Sequence, residues 1–428
     1  MREAVERIRR QERGERRNQA LLSCLLALLS ALLAGCWDRV EIEERGFVSG
    51  VAVDLPRNEE AAQRWEAETE GKPQGKQRFV LTNQYVIPSA LSGSGQGKGR
   101  EGSATTKAVF NLSSEGDSLF EIVQMNATRA SRSPFYEHMK VLIISDAVAR
   151  SGQLGNVLDF FLRDNEMRKS IKVMISEGEA REILRVSPDN EPIPTDYIDS
   201  ISENRQRTAR MVKPAKIGDL LERLLADQSY ALPRIVCGED EVKIAGAAVI
   251  RGQQNQLAGF LGEEETEGLN FLRGEVNGGL IKVQVRDNLV VYEIKEVKRR
   301  LEANVTDRER MQFTVQMEIE GNVAESLETL NYTEQEVVKL IERKVAEEVR
   351  RLTEGTRQKL QEEFHVDAIG LNAFLNASHY SLWQAIKEDW DRGEDYFSRS
   401  QIDVKVTAKV RTAGNSIVTE KLERLQTQ

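Results

Sequence analysis

Cysteine and histidine are the side chains in this sequence most ready to do chemistry, and both are scarce. The cysteines are Cys24, Cys36 and Cys237; the histidines are His138, His365 and His379, in 428 residues. The histidines lack metal-ligand spacing to one another or to cysteine, and no His-Glu-x-x-His occurs. They read as structural or surface imidazoles. There is no Gly-x-Ser-x-Gly elbow for an activated serine. Paired carboxylates carry no information among 69 acidic residues. The stretch "PSALSGSGQGKGREGS" (88–103) has the composition of a phosphate-binding loop. However, Gly97-Lys98 is followed by Gly99 rather than Ser or Thr, and Ser92 stands where the first glycine belongs, so the motif fails. The stretch reads as a flexible Gly/Ser loop. The expectation is no catalytic residues, no metal site and no cofactor. Cys237, in a strand-like run after Pro233, reads as a small buried hydrophobe.

Cys36 is different, because of what precedes it. "MREAVERIRRQERGERRNQ" is an Arg-rich n-region, and residues 20–34 are an uncharged run of Ala, Leu, Ser and Cys. A spanning helix needs about 20 apolar residues, so the run is short for a permanent anchor and suits a signal peptide. It ends in Leu33, Ala34, Gly35 and Cys36, which resembles the bacterial lipobox. That resemblance implies acylation of the Cys36 sulfur, with palmitate-type chains, and cleavage before Cys36. Each buried CH₂ contributes about 0.8 kcal/mol, so one chain holds weakly and two or more hold firmly. With residues 1–35 removed and Cys36 modified, Cys237 has no partner and no internal disulfide framework forms.

The totals set the class of the rest. The chain is 40% hydrophobic and 30% charged, an ordinary globular composition. Its net charge is −9, and because residues 1–35 hold seven Arg and four Glu, the remainder carries −12. An acidic body argues against a nucleic-acid partner.

Periodicity supplies the elements. Residues 47–54, 78–87 and 105–112 read as strands and 118–130 as a helix. "MKVLIIS" (139–145) and "IKVMIS" (171–176) are nearly continuous apolar runs, expected of strands buried on both faces. Helices over 146–163 and 177–184 alternate with them, which implies an α/β layer. A proline-rich connector, 187–194, precedes helices at 195–210 and 217–226, strands at 232–237 and 242–251, and a helix at 263–273. Period-two strands follow at 281–285, 289–297 and 313–319, with Asp287-Asn288 as the tight turn. Residues 333–364 form the longest helix, with Val338, Ile341, Val345, Val349, Leu352, Leu360 and Phe364 at helical spacing. One face packed on a sheet is expected of it, since no second heptad helix exists. Trp383 and Trp390, seven apart, are expected on one face of a later helix, and 402–410 is the last strand. The fold class is α/β (α+β), in three consecutive domains each with a mixed or antiparallel sheet flanked by helices. The divisions are 1–35 (lipoprotein signal peptide), 36–190, 195–276 and 279–414.

Several stretches go further than composition. "GCWDRVEIEE" followed by "VSGVAVD" resembles the start of the Ger(x)C spore germination lipoproteins, the C subunits of germinant receptors. "ATRASRSPFYEHMKVLIIS", "LDFFLRDNEMRKSIKVMIS" and "EGEAREIL" resemble that family's first domain in order; "LPRI", "IAGAAVI" and "GEEETEGLNFLRGEVNGG" resemble its second. The third shows the alternating strands, the long helix, an Asp-x-x-Gly turn (Asp367, Gly370) and the Trp383/Trp390 segment. The sequence departs at Leu371-Asn372, where the family has an aromatic and a second glycine. The resemblance implies a non-enzymatic receptor subunit acting in spore germination with two membrane subunits, one permease-like and one larger. It also implies a location on the extracytoplasmic face of the cell membrane, the spore inner membrane, held by the Cys36 lipid. The alternative is a lipid-anchored solute-binding protein of a transporter, a class that expects two similar lobes with a hinge, whereas three dissimilar units appear here. A tethered hydrolase would need a motif the chain lacks.

Overall fold

The structure is a computed structural model that describes residues 23, 44–56, 78–92, 107–126, 128–326 and 334–412. Cys24, Cys36, Trp37 and the glycine-rich residues 93–106 lie outside the described residues. The strands are β1 (Arg45–Asp54), β2 (Phe79–Val86), β3 (Val109–Gly116), β4 (Ser133–Phe135), β5 (Val141–Ser145), β6 (Lys172–Ser176) and β7 (Ala215–Lys216). They continue with β8 (Tyr230–Cys237), β9 (Val242–Arg251), β10 (Gln256–Leu261), β11 (Gly279–Val285), β12 (Asn288–Asn304), β13 (Gln312–Ser326) and β14 (Gln401–Thr412).

Among the described residues, ten strands form one sheet, in the order β10-β9-β8-β6-β5-β1-β2-β3, with β4 on β1 and β7 on β6. Its centre is parallel: β1 with β5, β5 with β6, and β6 with β8. Antiparallel pairs flank it on both sides. Every residue of β5 and β6 is buried, as their apolar runs predict. Leu142, Ile144, Val173 and Ile175 face a layer made by α1 (Leu119–Asn126), α2 (Asp146–Arg150), α3 (Leu154–Arg163) and α6 (Ile217–Leu225). On the opposite side, Val141, Ile143 and Met174 face α4 (Ala180–Ile183) and α5 (Pro194–Ser202). Asp54, at the end of β1, is buried and accepts from the backbone N–H groups of Ala180 (2.7 Å) and Arg181 (3.0 Å), so it caps α4. Burial pushes its carboxyl up to about 6 against the pull of those two bonds.

The sheet count differs from the sequence expectation. The strands of 195–276 do not make a sheet of their own, because β8 hydrogen-bonds to β6 and extends the first sheet across the connector. Strand β3 runs over Val109–Gly116, four residues later than expected, because its polar end pairs with β2 and Ser114 donates to Asn126 of α1 (2.6 Å).

The second sheet has the order β11-β12-β13-β14, antiparallel except for the parallel pair β13 and β14. Its first hairpin turns at Arg286-Asp287, one residue earlier than expected. Both have positive φ (50° and 67°) and Val285 pairs with Asn288, the pattern of a two-residue I′ turn. The long helix α8 (Gln335–Gln358) buries Val337, Ile341, Val345, Val349 and Leu352 against β11, β14 and α7 (Glu263–Arg273). Val337 takes the inward place expected of Val338. The helix stops at Gln358, and Lys359–Phe364 continues as a wider π turn. A Cβ on Gly268 of α7 would stand 2.4 Å from the Leu352 carbonyl oxygen, so the α7–α8 crossing requires a glycine there. After α8 come α9 (Leu371–Ser378), α10 (Tyr380–Ile386) and α11 (Tyr396–Arg399). No helix of the described residues is long and apolar enough to cross a membrane.

Candidate functional site

The Asp-x-x-Gly turn is the centre of a polar junction. Asp367 is fully buried, and its carboxylate accepts four hydrogen bonds. Oδ1 takes the N–H groups of Gly370 (2.9 Å) and Leu371 (3.2 Å); Oδ2 takes Asn372 N–H (2.7 Å) and the Trp390 indole N–H (2.9 Å). One aspartate therefore satisfies the open N-terminus of α9 and fixes Trp390. Gly370 makes the turn at φ +92°, and helix begins directly at Leu371, where the sequence departs from the family pattern. Trp383 and Trp390 do meet, with ring centroids 6.0 Å apart, but not on one helix. Trp383 belongs to α10, whereas Trp390 follows a 3₁₀ turn at Lys387–Asp389. The rings meet across the change from α-helix to 3₁₀ turn rather than along one continuous helical face.

Beneath the turn, Arg273 donates from Nε to the Ala368 carbonyl (2.7 Å). Burial lowers the pKa of Arg273 and Arg299, partly offset by the charges of Glu275 and Asp367. Above it, Ser229, at the start of β8, donates to Asp391 Oδ2 and accepts from Gly252 N–H (3.1 Å). Asp391 also accepts from Asp367 N–H (3.4 Å). Burial raises the Asp391 carboxyl, and the Ser229 bond opposes the rise. Arg251 of β9 completes the seam by donating to the Phe364 carbonyl (2.7 Å).

A cleft opens over this seam. One cavity of about 270 Å³ is lined by Gln228, Ser229, Gln253, Gln384 and Asp391 among others. A second, of about 630 Å³, adjoins it through Gln228, Ser229, Asn372 and Asn376 and runs down to Arg273 and Glu275. The polar groups present are amides, carboxylates, guanidinium and ammonium groups and one hydroxyl, with the rings of Trp383 and Trp390 beside them. Ser229 is held between the Asp391 carboxylate, to which it donates, and the Gly252 amide, from which it accepts.

The other sequence candidates fall elsewhere. Cys36 lies outside the described residues. Cys237 is exposed at the end of β8 rather than buried, next to the Glu182 carbonyl of α4. His138 packs on the rings of Phe47 and Phe135, His365 bonds Asp395 (2.8 Å) and Ser398 (3.0 Å), and His379 leans on Phe374. Among the described residues no three His, Cys, Asp or Glu side chains gather as metal ligands. Of the junction, sequence reading singled out Asp367, Gly370 and the two tryptophans. It missed Ser229, Asp391 and the amides, whose only signal is proximity across 162 residues.

Comparison with known proteins gives this geometry its context. Residues 38–236 match the family model "spore germination protein N-terminal domain", and residues 245–414 match "spore germination B3/GerAC like, C-terminal". The cleft is lined from both matched regions. The chain is 30% identical over 392 residues to spore germination protein YndF of Bacillus subtilis, covering 91% of this chain and 96% of that one. It is 23% identical over 391 residues to spore germination protein B3 of the same organism, covering 89% and 95%. The crystal structure of the GerBC protein superposes with a TM-score of 0.55 at 19% identity, over 84% of this chain and 97% of that one, so the two share a fold. The chain is a mixed α/β protein of the Ger(x)C spore germination family.

Proposed function

We propose that this protein is a lipid-anchored, non-catalytic subunit of a nutrient germinant receptor, supporting spore germination through protein contacts. The observation that carries the reading is the match to spore germination proteins along nearly the whole length after Cys36. In this reading Cys36 is acylated and becomes the first residue, on the extracytoplasmic face of the spore inner membrane. Confinement to that surface raises the effective concentration of the membrane partners, a permease-like subunit and a larger one. A body carrying −12 is repelled by anionic lipid, which keeps it off the surface except where partners hold it.

Spores deleted for this gene and its paralogues test the role. Against spores lacking only the paralogues, they should respond more poorly to at least one class of nutrient yet germinate normally with triggers that bypass receptors. A normal nutrient response in that background sinks the receptor reading. The anchor is tested separately by mass spectrometry of the mature N-terminus, where a chain that does not begin at an acylated Cys36 removes it.

A further inference from the structure

We propose that the cleft over the Ser229–Asp391 seam binds a small, neutral, polyhydroxylated solute of about monosaccharide size. The unspent hydrogen-bonding capacity of the cleft points to this class. Among the described residues, the side chains of Gln228, half-buried, and of Gln253, Asn376 and Gln384, exposed to water, make no hydrogen bond within the chain, and all four line the same cavity. Asn372, only 4% exposed, spends its Oδ1 on Ala373 N–H (2.6 Å) and keeps its Nδ2 donors for the cleft. Five amide groups from three separate chain segments thus converge on one space with donors and acceptors to offer. An amide presents both roles without charge, and so does a hydroxyl; a ring or chain of vicinal hydroxyls is the matching surface.

The charges nearby favour a neutral guest. Asp391 already holds Ser229, and Arg392 is engaged by Glu388. Lys387 and Asp227 are exposed at the margin, where an ion pair contributes little. Apolar contact comes from Leu225, exposed at 79%, and the edge of Trp383, suited to the C–H faces of a polyol. The position is typical of a ligand site, since one wall comes from the matched N-terminal region and the other from the C-terminal region. A guest bridging Gln228 to Asn376 would tie the two together at the seam that Ser229 and Asp391 already join. The reading stands apart from the receptor role, because it concerns binding by this chain alone.

Isothermal titration calorimetry of the purified full chain in detergent decides the matter, with D-glucose and myo-inositol as probes and two controls that carry charged groups, zwitterionic L-alanine and anionic inorganic phosphate. At least one polyol should bind saturably, with a dissociation constant on the order of millimolar, and the controls should not. A Gln228→Ala/Asn376→Ala variant should weaken the polyol by about tenfold or more while keeping the parent's circular dichroism and melting temperature, because neither amide supports the fold. Gln384→Ala, at the far wall, serves as an independent second variant with the same expectation. The proposal is overturned if neither polyol saturates, if a charged control binds in their place, or if binding is unchanged in both variants. A germination defect without polyol binding removes this site and leaves the receptor role standing.

Discussion

The two sheets meet water in opposite ways. In the ten-stranded sheet the central strands have helices on both sides, and β5 and β6 expose nothing. In the four-stranded sheet α8 covers one face while the other stays open, with Lys298, Arg300, Glu302, Glu318, Lys405 and Lys409 standing out along β12, β13 and β14. Pairing across that open face is local, as where Arg411 reaches both Glu296 (2.6 Å) and Glu320 (2.5 Å). The lesson is that the first sheet is committed to holding the molecule together, whereas the second has a face whose side chains are free to change. Between them lies the Asp367 seam, the place where a polar group is as deeply buried as any in the first sheet's core.

Substitutions can break or sharpen this contrast. The largest effect is expected for Asp367→Ala, which strands three backbone N–H groups and the Trp390 indole without an acceptor; urea unfolding should show a loss of about 3–5 kcal/mol. A loss below about 1 kcal/mol would show the seam to be peripheral. Next comes Ile143→Ala in β5, wholly buried between two helix layers, with an expected loss of about 2–4 kcal/mol by the same measurement. A near-neutral result there would mean that the second helix layer collapses readily onto the sheet.

Asp54 gives the contrast a pH axis. Its carboxyl sits at about 6 when folded against 3.8 as the ordinary value, so the folded chain binds the proton more tightly. Stability from this group is therefore full below about pH 4 and falls as pH rises to about 6, by about 3 kcal/mol in all. Asp54→Asn should remove that slope relative to the parent; an unchanged difference in unfolding free energy between about pH 4 and pH 7 would refute it. The smallest effect is expected for Lys405→Ala on the open face, within about 0.5 kcal/mol. A larger loss there would mean that the face already carries a structural partner.

Much of the first sheet was legible in the sequence, and the reasons are physical. Burial on both faces forces continuous apolar runs, so "VLIIS" and "KVMIS" announce themselves, and in the second sheet alternation marks Phe313, Val315, Met317 and Ile319 as clearly. The errors arose where long-range pairing outweighs local pattern. Nothing near Tyr230 says that β8 will pair with β6, and nothing near Pro233 says that the strand's far end, Cys237, will emerge into water. The hairpin at Arg286-Asp287 was displaced by one because arginine carries no turn signal, although it holds a positive φ here. At the candidate site, Asp367 and Gly370 were visible through the family resemblance. Ser229 and Asp391 were not, since their meeting depends on how β8 and the segment after α10 are placed by everything between them.

The parallel pairing of β13 with β14 has a consequence for the order of events in folding. Gln312 lies opposite Gln401, so the last strand of the sheet arrives only after the long helix and three shorter ones have been laid down. A hairpin such as β11–β12 closes within microseconds of its synthesis, but a parallel neighbour needs its whole crossover first, and such distant contacts form late and slowly. Until β14 docks, β13 presents fifteen residues of unpaired edge, the kind of surface that recruits another chain. A ribosome that stops short of residue 401 therefore releases not a slightly shortened protein but a sticky one.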